Sequence, residues 1–283
     1  VSYWCLDTSI KWLNPNYSAS MSNLSLRLIF GGLYVGTVVL AIWLGQPYAS
    51  LLFALFALLS LMEMIGHRLD QTKSSTQLTA LVYTGIMVYF CVFQMPEIGL
   101  LHYLIALVIQ WLVCFLARRD MQQGRQAALL YLTLYIWLPL AALAFWSVLH
   151  PSLMQDHLLF FFICIWAYDS LAYVVGKTVG KRAIFPKISP RKTVEGTIGG
   201  LLLTTALMIA LDHFWLDLNG HAFILAPLII ATAILGDLFE SFYKRKLGIK
   251  DSGNLIPGHG GILDRIDSIL FAALPFVIVL SLY

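Results

Sequence analysis

Apolar residues run along this chain in nine long blocks separated by short polar stretches: 25–45, 48–66, 78–95, 99–117, 127–149, 158–176, 196–215, 223–243 and 268–283. A bilayer-crossing helix needs about 20 mostly apolar residues. Hydrocarbon excludes strands with open edges, because their backbone groups find no partner there. The pattern therefore predicts an all-α polytopic membrane protein with nine transmembrane helices. No A-x-A site follows the first block, so it has no cleavable-signal character.

The polar stretches orient the helices. Connections 46–47, 96–98, 150–157 and 216–222 carry no Lys or Arg, and all eighteen basic residues fall on the other side. By the positive-inside rule that side is the cytoplasm, which puts the N-terminus inside and the C-terminus outside. Charged residues are only 12% of the 283, against 59% hydrophobic. A soluble domain carries about 25%, so no charged shell surrounds this chain. A net charge of +3 gives no argument for nucleic acid. Cys91, Cys114 and Cys164 lie in apolar blocks, Cys5 lies outside them, and no CxxC pair occurs; the thiols read as small hydrophobes.

Three regions follow. Residues 1–22 form a polar extension, and Met21-Ser-Asn-Leu-Ser-Leu-Arg27 reads as a natural start. The first twenty residues are then an upstream addition, or else an interfacial segment anchored by Tyr3, Trp4 and Trp12. Residues 23–150 form a five-helix scaffold or dimer region, in which Glu63 is the exceptional acid and is expected to snorkel toward cytoplasmic water. Residues 151–283 form a catalytic four-helix region with cytoplasmic loops at 177–195 and 244–267.

Chemistry concentrates in that last region. Asp237 and Glu240 stand three apart inside the eighth block, and Asp264 and Asp267 repeat the spacing just before the ninth. Residues three apart share a helix face. An unpaired carboxylate within a span costs about 2.5–3.5 kcal/mol on the insertion scale, so both pairs call for cations. Hard oxygen ligands facing the cytoplasm favour Mg²⁺; a Lys or Arg partner is the other way to settle Asp237. Asp169 is the deepest acid, a functional candidate or a helix-packing contact.

Among the bases, Ser189-Pro-Arg-Lys192 leads through Thr193-Val-Glu195 into a span. That arrangement makes an anion site at a helix N-terminus, or equally a topological anchor. Lys244-Arg-Lys246 has the same two readings. Pro257-Gly-His-Gly-Gly261 is different, since an anchor needs neither three glycines nor a histidine, whereas glycines let backbone N–H groups approach a phosphate. Paired acids, cations and glycine turns at a membrane suit phosphoryl or nucleotidyl transfer, in which two anions must be neutralised and aligned. A phosphate monoester nucleophile, with its second pKa near 6, requires no strong general base.

The stretch Ser241-Phe-Tyr-Lys-Arg-(Lys-Leu-Gly-Ile)-Lys-Asp-Ser-Gly-Asn-Leu-Ile-Pro-Gly-His-Gly-Gly-Ile-Leu-Asp-Arg-Ile-Asp267 resembles the signature of the phosphatidate cytidylyltransferases (CDP-diacylglycerol synthases). Tyr243, where that family prefers an aliphatic residue or Phe, is the one departure. Ser189-Pro-Arg-Lys-Thr-Val-Glu-Gly196 and Asp169-Ser-Leu-Ala-Tyr173 are similar to further family elements, so the resemblance covers roughly 165–283.

The resemblance implies the reaction CTP + phosphatidate → CDP-diacylglycerol + pyrophosphate, with Mg²⁺ and a second, monovalent cation such as K⁺. It implies that Asp237 and Asp264 hold the metal with Asp267 and Glu240 beside it. Arg191, Lys192, Lys244, Arg245 and Lys250 would cradle the phosphates, His259, Gly260 and Gly261 would contact the nucleotide, and Arg265 would orient Asp264. Ser189, Glu195, Ser241, Asp251 and Asp169, within the matched motifs, complete the substrate-binding set. A homodimer through the N-terminal spans is implied as well; the lack of a long extramembrane domain fits a bacterial inner-membrane location, and the charge pattern turns the site toward the cytoplasm. The competing readings are a CTP-dependent lipid-alcohol kinase, a CDP-archaeol-type synthase, a CDP-alcohol phosphotransferase and, in another class, a cation-coupled transporter.

Overall fold

The computed structural model describes residues 20–68, 85, 100–120, 125–186, 189–246, 251–253 and 260–282. Among these are eight helices: α1 (Ser20–Leu44), α2 (Tyr48–Arg68), α3 (Leu100–Asp120), α4 (Arg125–Leu149), α5 (Met154–Val179), α6 (Val194–Phe214), α7 (Ala222–Lys246) and α8 (Leu263–Leu280). Each coincides with an apolar block to within a few residues. Of the predicted span 78–95 only Gly85 is described, and residues 1–19, Lys250 and His259 lie outside the described residues.

The fold is mainly helical, but not wholly so. Between α5 and α6 the chain makes an antiparallel hairpin of β1 (Ala183–Phe185) and β2 (Ser189–Thr193), with Ala183 opposite Thr193 and Phe185 opposite Ser189. The all-α expectation and the loop at 177–195 are corrected here. Helix α5 runs on to Val179, and the hairpin hands the chain straight into α6. The Val194 amide donates to the Arg182 carbonyl at 2.8 Å. Thr193 caps α6, its Oγ1 accepting from the Gly196 amide at 3.1 Å, as a threonine at that position does.

Among the described residues, three helices are long and apolar enough to cross a membrane: Met154–Val179, Val194–Phe214 and Ala222–Arg245. The outside of the molecule is correspondingly greasy. Trp43, Val108, Trp111, Phe214, Trp215 and Phe223 are all exposed, far more apolar surface than a water-soluble monomer leaves open. Inside, Trp146, Phe160, Phe161, Phe162 and Phe276 are fully buried in one core shared by both halves of the chain.

Two close helix approaches set up the site. At the crossing of α5 and α6, a Cβ on Gly200 would lie 2.7 Å from that of Ala172, and one on Gly196 would lie 2.8 Å from the Gly176 Cα. Small residues at i and i+4 on both helices let the backbones meet, the usual device for packing helices in lipid. At the crossing of α7 and α8, a Cβ on Gly236 would be 2.5 Å from the Asp267 carbonyl. A bare backbone at Gly236 is what allows the next residue, Asp237, to approach α8.

Candidate active site

The four carboxylates expected to act together come from two helices. Asp237 and Glu240 project from α7, and Asp264 and Asp267 from the first two turns of α8. Two lysines stand among them. Lys192, from β2, is ion-paired with Asp237, whose Oδ1 also accepts from the Ser241 hydroxyl at 3.3 Å. Lys244 lies 2.5 Å from the Glu240 carboxylate and 2.7 Å from that of Asp264. Asp267 accepts from the Ser268 amide at 2.6 Å and lies against Glu240, within electrostatic reach of both lysines.

Backbone amides complete the setting of Asp264. They donate from Ser252 at 3.0 and 3.1 Å and from Gly261 at 2.8 Å. Gly260 has φ +85°, and a Cβ there would press on Asp264 Oδ2 at 2.7 Å. Gly260 and Gly261 thus help to set the Asp264 carboxylate.

Two cavities meet at this cluster, with Asp169 in the wall of each. The larger, of about 680 Å³, lies between α5, β2 and α6 and is lined by Asp169, Lys177, Ser189, Arg191, Lys192 and Thr193, among others. The smaller, of about 320 Å³, runs from Phe30, Tyr34 and Trp166 on its apolar side to Asp264, Arg265 and Asp267 on its polar side. Asp169 is within electrostatic reach of Asp267, Lys192 and Arg265. Burial lowers the pKa of Lys192, and the charges of Asp169 and Asp267 oppose that shift.

A model of the cytidylyltransferase family matches residues 25–283. The chain belongs to that family. Similar proteins include the phosphatidate cytidylyltransferases of Haemophilus influenzae, 51% identical over 125 residues, 42% of this chain and 43% of that protein, and of Staphylococcus aureus strain COL, 45% identical over 118 residues, 41% and 45%. The chain thus matches under half the length of these curated relatives.

In this cytidylyltransferase-family chain the pair Asp237 and Glu240 on α7 and the pair Asp264 and Asp267 on α8 lie near one another around Lys192 and Lys244, and Asp169 is within electrostatic reach of Asp267. Ser189, Arg191 and Lys192 share the larger cavity. The lysine partner that was the alternative for Asp237 is present, and it is Lys192. Lys244, read as a topological anchor or a phosphate ligand, pairs with Glu240 and Asp264. Glu195 turns away from the carboxylates: its Oε2 accepts from the amides of Lys181 and Arg182 at 2.9 and 3.2 Å and so ties the hairpin to α6. Arg245 and Asp251 are exposed at the rim.

Sequence reasoning missed Glu63. It is half-buried. Its two carboxylate oxygens accept from the amides of Ile262 and Leu263 at 2.8 and 3.0 Å, at the start of α8. Its position three residues inside an apolar block was a signal, but nothing in the sequence named its partners.

The donor set can be tested against a cation. Asp169, Asp237, Glu240, Asp264 and Asp267 are five carboxylates, and among the described residues Lys192, Lys244 and Arg265 face them. Hard oxygen donors are the kind that Mg²⁺ takes. Among the described residues no three of these acids close around one point, since the lysine ammonium groups stand between them. The chemistry of the donors fits a divalent cation that takes over part of the neutralising role of the lysines.

Proposed function

We propose that this protein is a phosphatidate cytidylyltransferase, making CDP-diacylglycerol and pyrophosphate from CTP and phosphatidate. The observation that carries the reading is the convergence of the α7 and α8 carboxylate pairs on two lysines, beside a cavity lined by Arg191 and Lys192. That arrangement suits a reaction between two anions. The family membership and the names of its relatives point the same way.

Asp237 and Asp264 would hold Mg²⁺, with Glu240 and Asp267 adjoining and available to a monovalent cation such as K⁺. When bound, the metal would neutralise phosphate charge and polarise the phosphorus that is attacked. The rest is the work of the chain. Lys192 and Arg191 draw the triphosphate into the larger cavity, beside the positive end of α6. Lys244 holds Glu240 and Asp264 in fixed relation, so the cluster needs little reorganisation on binding. The lipid phosphate is already ionised at neutral pH and attacks the α-phosphorus without a protein base. Alignment of the two substrates supplies much of the rate.

The wider setting belongs to the same proposal: nine membrane-spanning helices, N-terminus inside, with the site toward the cytoplasm in a bacterial inner membrane. The N-terminal spans would pair two copies. The test is direct. Purified protein in detergent receives labelled CTP, Mg²⁺ and phosphatidic acid, and lipid-soluble cytidine is measured. Production that a chelator stops is expected. No product under any metal condition overturns the reading.

A further inference from the structure

We infer that Glu63, on α2 and outside every matched motif, is a positioning residue for the carboxylate cluster; this rests on the function proposed above. Helix α8 begins with Ile262 as its N-cap, a residue with no side-chain oxygen to satisfy the free amides of the first turn. A helix start left this way exposes donors that must be met by some acceptor. Glu63 meets them from a helix 199 residues away in sequence, accepting from Ile262 and Leu263 with separate oxygens. Asp264 in turn accepts from Gly261 and Ser252. Adjacent amides of one turn are thus divided between two carboxylates, one structural and one proposed to hold metal.

The surrounding chain is shaped to this division. A Cβ on Gly253 would lie 2.7 Å from Glu63 Oε1, and one on Gly261 would collide with the Ser252 hydroxyl and lie 2.5 Å from Glu63 Oε2. Both glycines leave room for the Glu63 carboxylate. Without Glu63, the Ile262 and Leu263 amides have Asp264 as the nearest carboxylate of their own helix. Asp264 would turn to them and away from Lys244. The consequence falls on the geometry of the site and not on how tightly substrates bind. A misplacement of about 1 Å near the reacting atoms costs about 100-fold in rate.

The experiment uses the full chain in detergent, with Glu63→Gln as the isosteric variant and Glu63→Asp as the second. Gln keeps one acceptor but turns an NH₂ toward the other amide; Asp keeps the charge but falls short by one methylene. The expected result is kcat lowered about 10- to 100-fold in both variants, with KM for CTP and for phosphatidate within about threefold. Amide hydrogen exchange would rise in the peptide covering 260–264 and stay unchanged in the α5–α6 crossing. Unchanged kcat, or unchanged exchange at 260–264, overturns the inference. So does a loss in which exchange rises everywhere and both KM values climb with it, the mark of a merely structural residue. If wild-type protein makes no CDP-lipid, the proposed function fails on its own, and the exchange comparison still decides whether Glu63 holds this turn.

Discussion

The Lys244 ammonium lies 2.7 Å from the Asp264 carboxylate and joins the end of α7 to the first turn of α8. The same ammonium is 2.5 Å from Glu240, one turn back on its own helix. All three side chains are nearly or wholly buried, so each charge depends on the others. Removing one partner of a buried pair leaves an uncompensated charge, at a cost of about 3–5 kcal/mol. Lys244→Met is therefore expected to lower thermal stability in detergent markedly and to abolish turnover. Adding Glu240→Gln to Lys244→Met should recover part of the lost stability, which a double-mutant cycle on melting temperature would show.

Asp237→Asn and Asp264→Asn remove a charge proposed to hold the metal while keeping the shape of the side chain. Each is expected to lower turnover by about 100-fold or more while the protein still extracts as a folded species. For Asp264 the amides of Ser252 and Gly261 retain an acceptor oxygen in Asn, so the turn should survive. Turnover of labelled CTP and elution from a sizing column are the two measurements. Near-normal activity in either variant would mean that the metal is held elsewhere.

How much of this was readable from sequence depends on the range of each interaction. The apolar blocks gave the described helices, since the bilayer length requirement acts on every span separately. The pairs Asp237–Glu240 and Asp264–Asp267 were legible because i, i+3 spacing is a local property of a helix. The hairpin at 183–193 was not, because its strands are three and five residues long and carry Pro190, Arg191 and Lys192 in place of an alternating pattern. The partners that Glu63 and Lys244 take from other helices were hidden for a related reason. The amides of Ile262 and Leu263 and the carboxylate of Asp264 reach them only when helices pack, whereas Glu240, one turn back from Lys244, is a local partner; a lone charge near a span end looks the same whether it meets water or a helix start.

The crossing of α5 and α6 carries β2 and Lys192 to the cluster, so its packing bears on activity. Gly200 faces Ala172 with no space for a side chain. Gly200→Leu is expected to cost about 1–3 kcal/mol through overpacking and to reduce activity by shifting Lys192 relative to Asp237. Gly32, where a Cβ would meet nothing within 4 Å, provides the control: Gly32→Ala should leave both stability and activity near wild type. Equal melting temperatures for Gly200→Leu and Gly32→Ala would contradict this account of the crossing.

His150 tests the boundary of the active region from the other side. It lies at the end of α4, exposed, with its ring 5.2 Å from that of Trp146. No part of the carboxylate cluster touches it. His150→Ala is expected to keep activity within a few-fold, measured as lipid-soluble cytidine formed at saturating CTP. A large loss would assign the scaffold helices a share in the reaction beyond the contact made by Glu63.

Metal removal separates the two ways in which the acids can be neutralised. Five carboxylates face Lys192, Lys244 and Arg265 among the described residues, so the lysines alone hold the cluster together only in part. Chelation is expected to stop turnover fully yet leave the protein folded, because the ion pairs of Lys192 and Lys244 persist without metal. Adding Mg²⁺ back should restore activity and raise the melting temperature, by the ordinary linkage between binding and stability. In Asp237→Asn the same addition should raise the melting temperature less than in wild type. That difference is read without turnover, so it tests the placement of the metal independently of the reaction. An equal rise in both proteins would show that the stabilising ion sits away from Asp237.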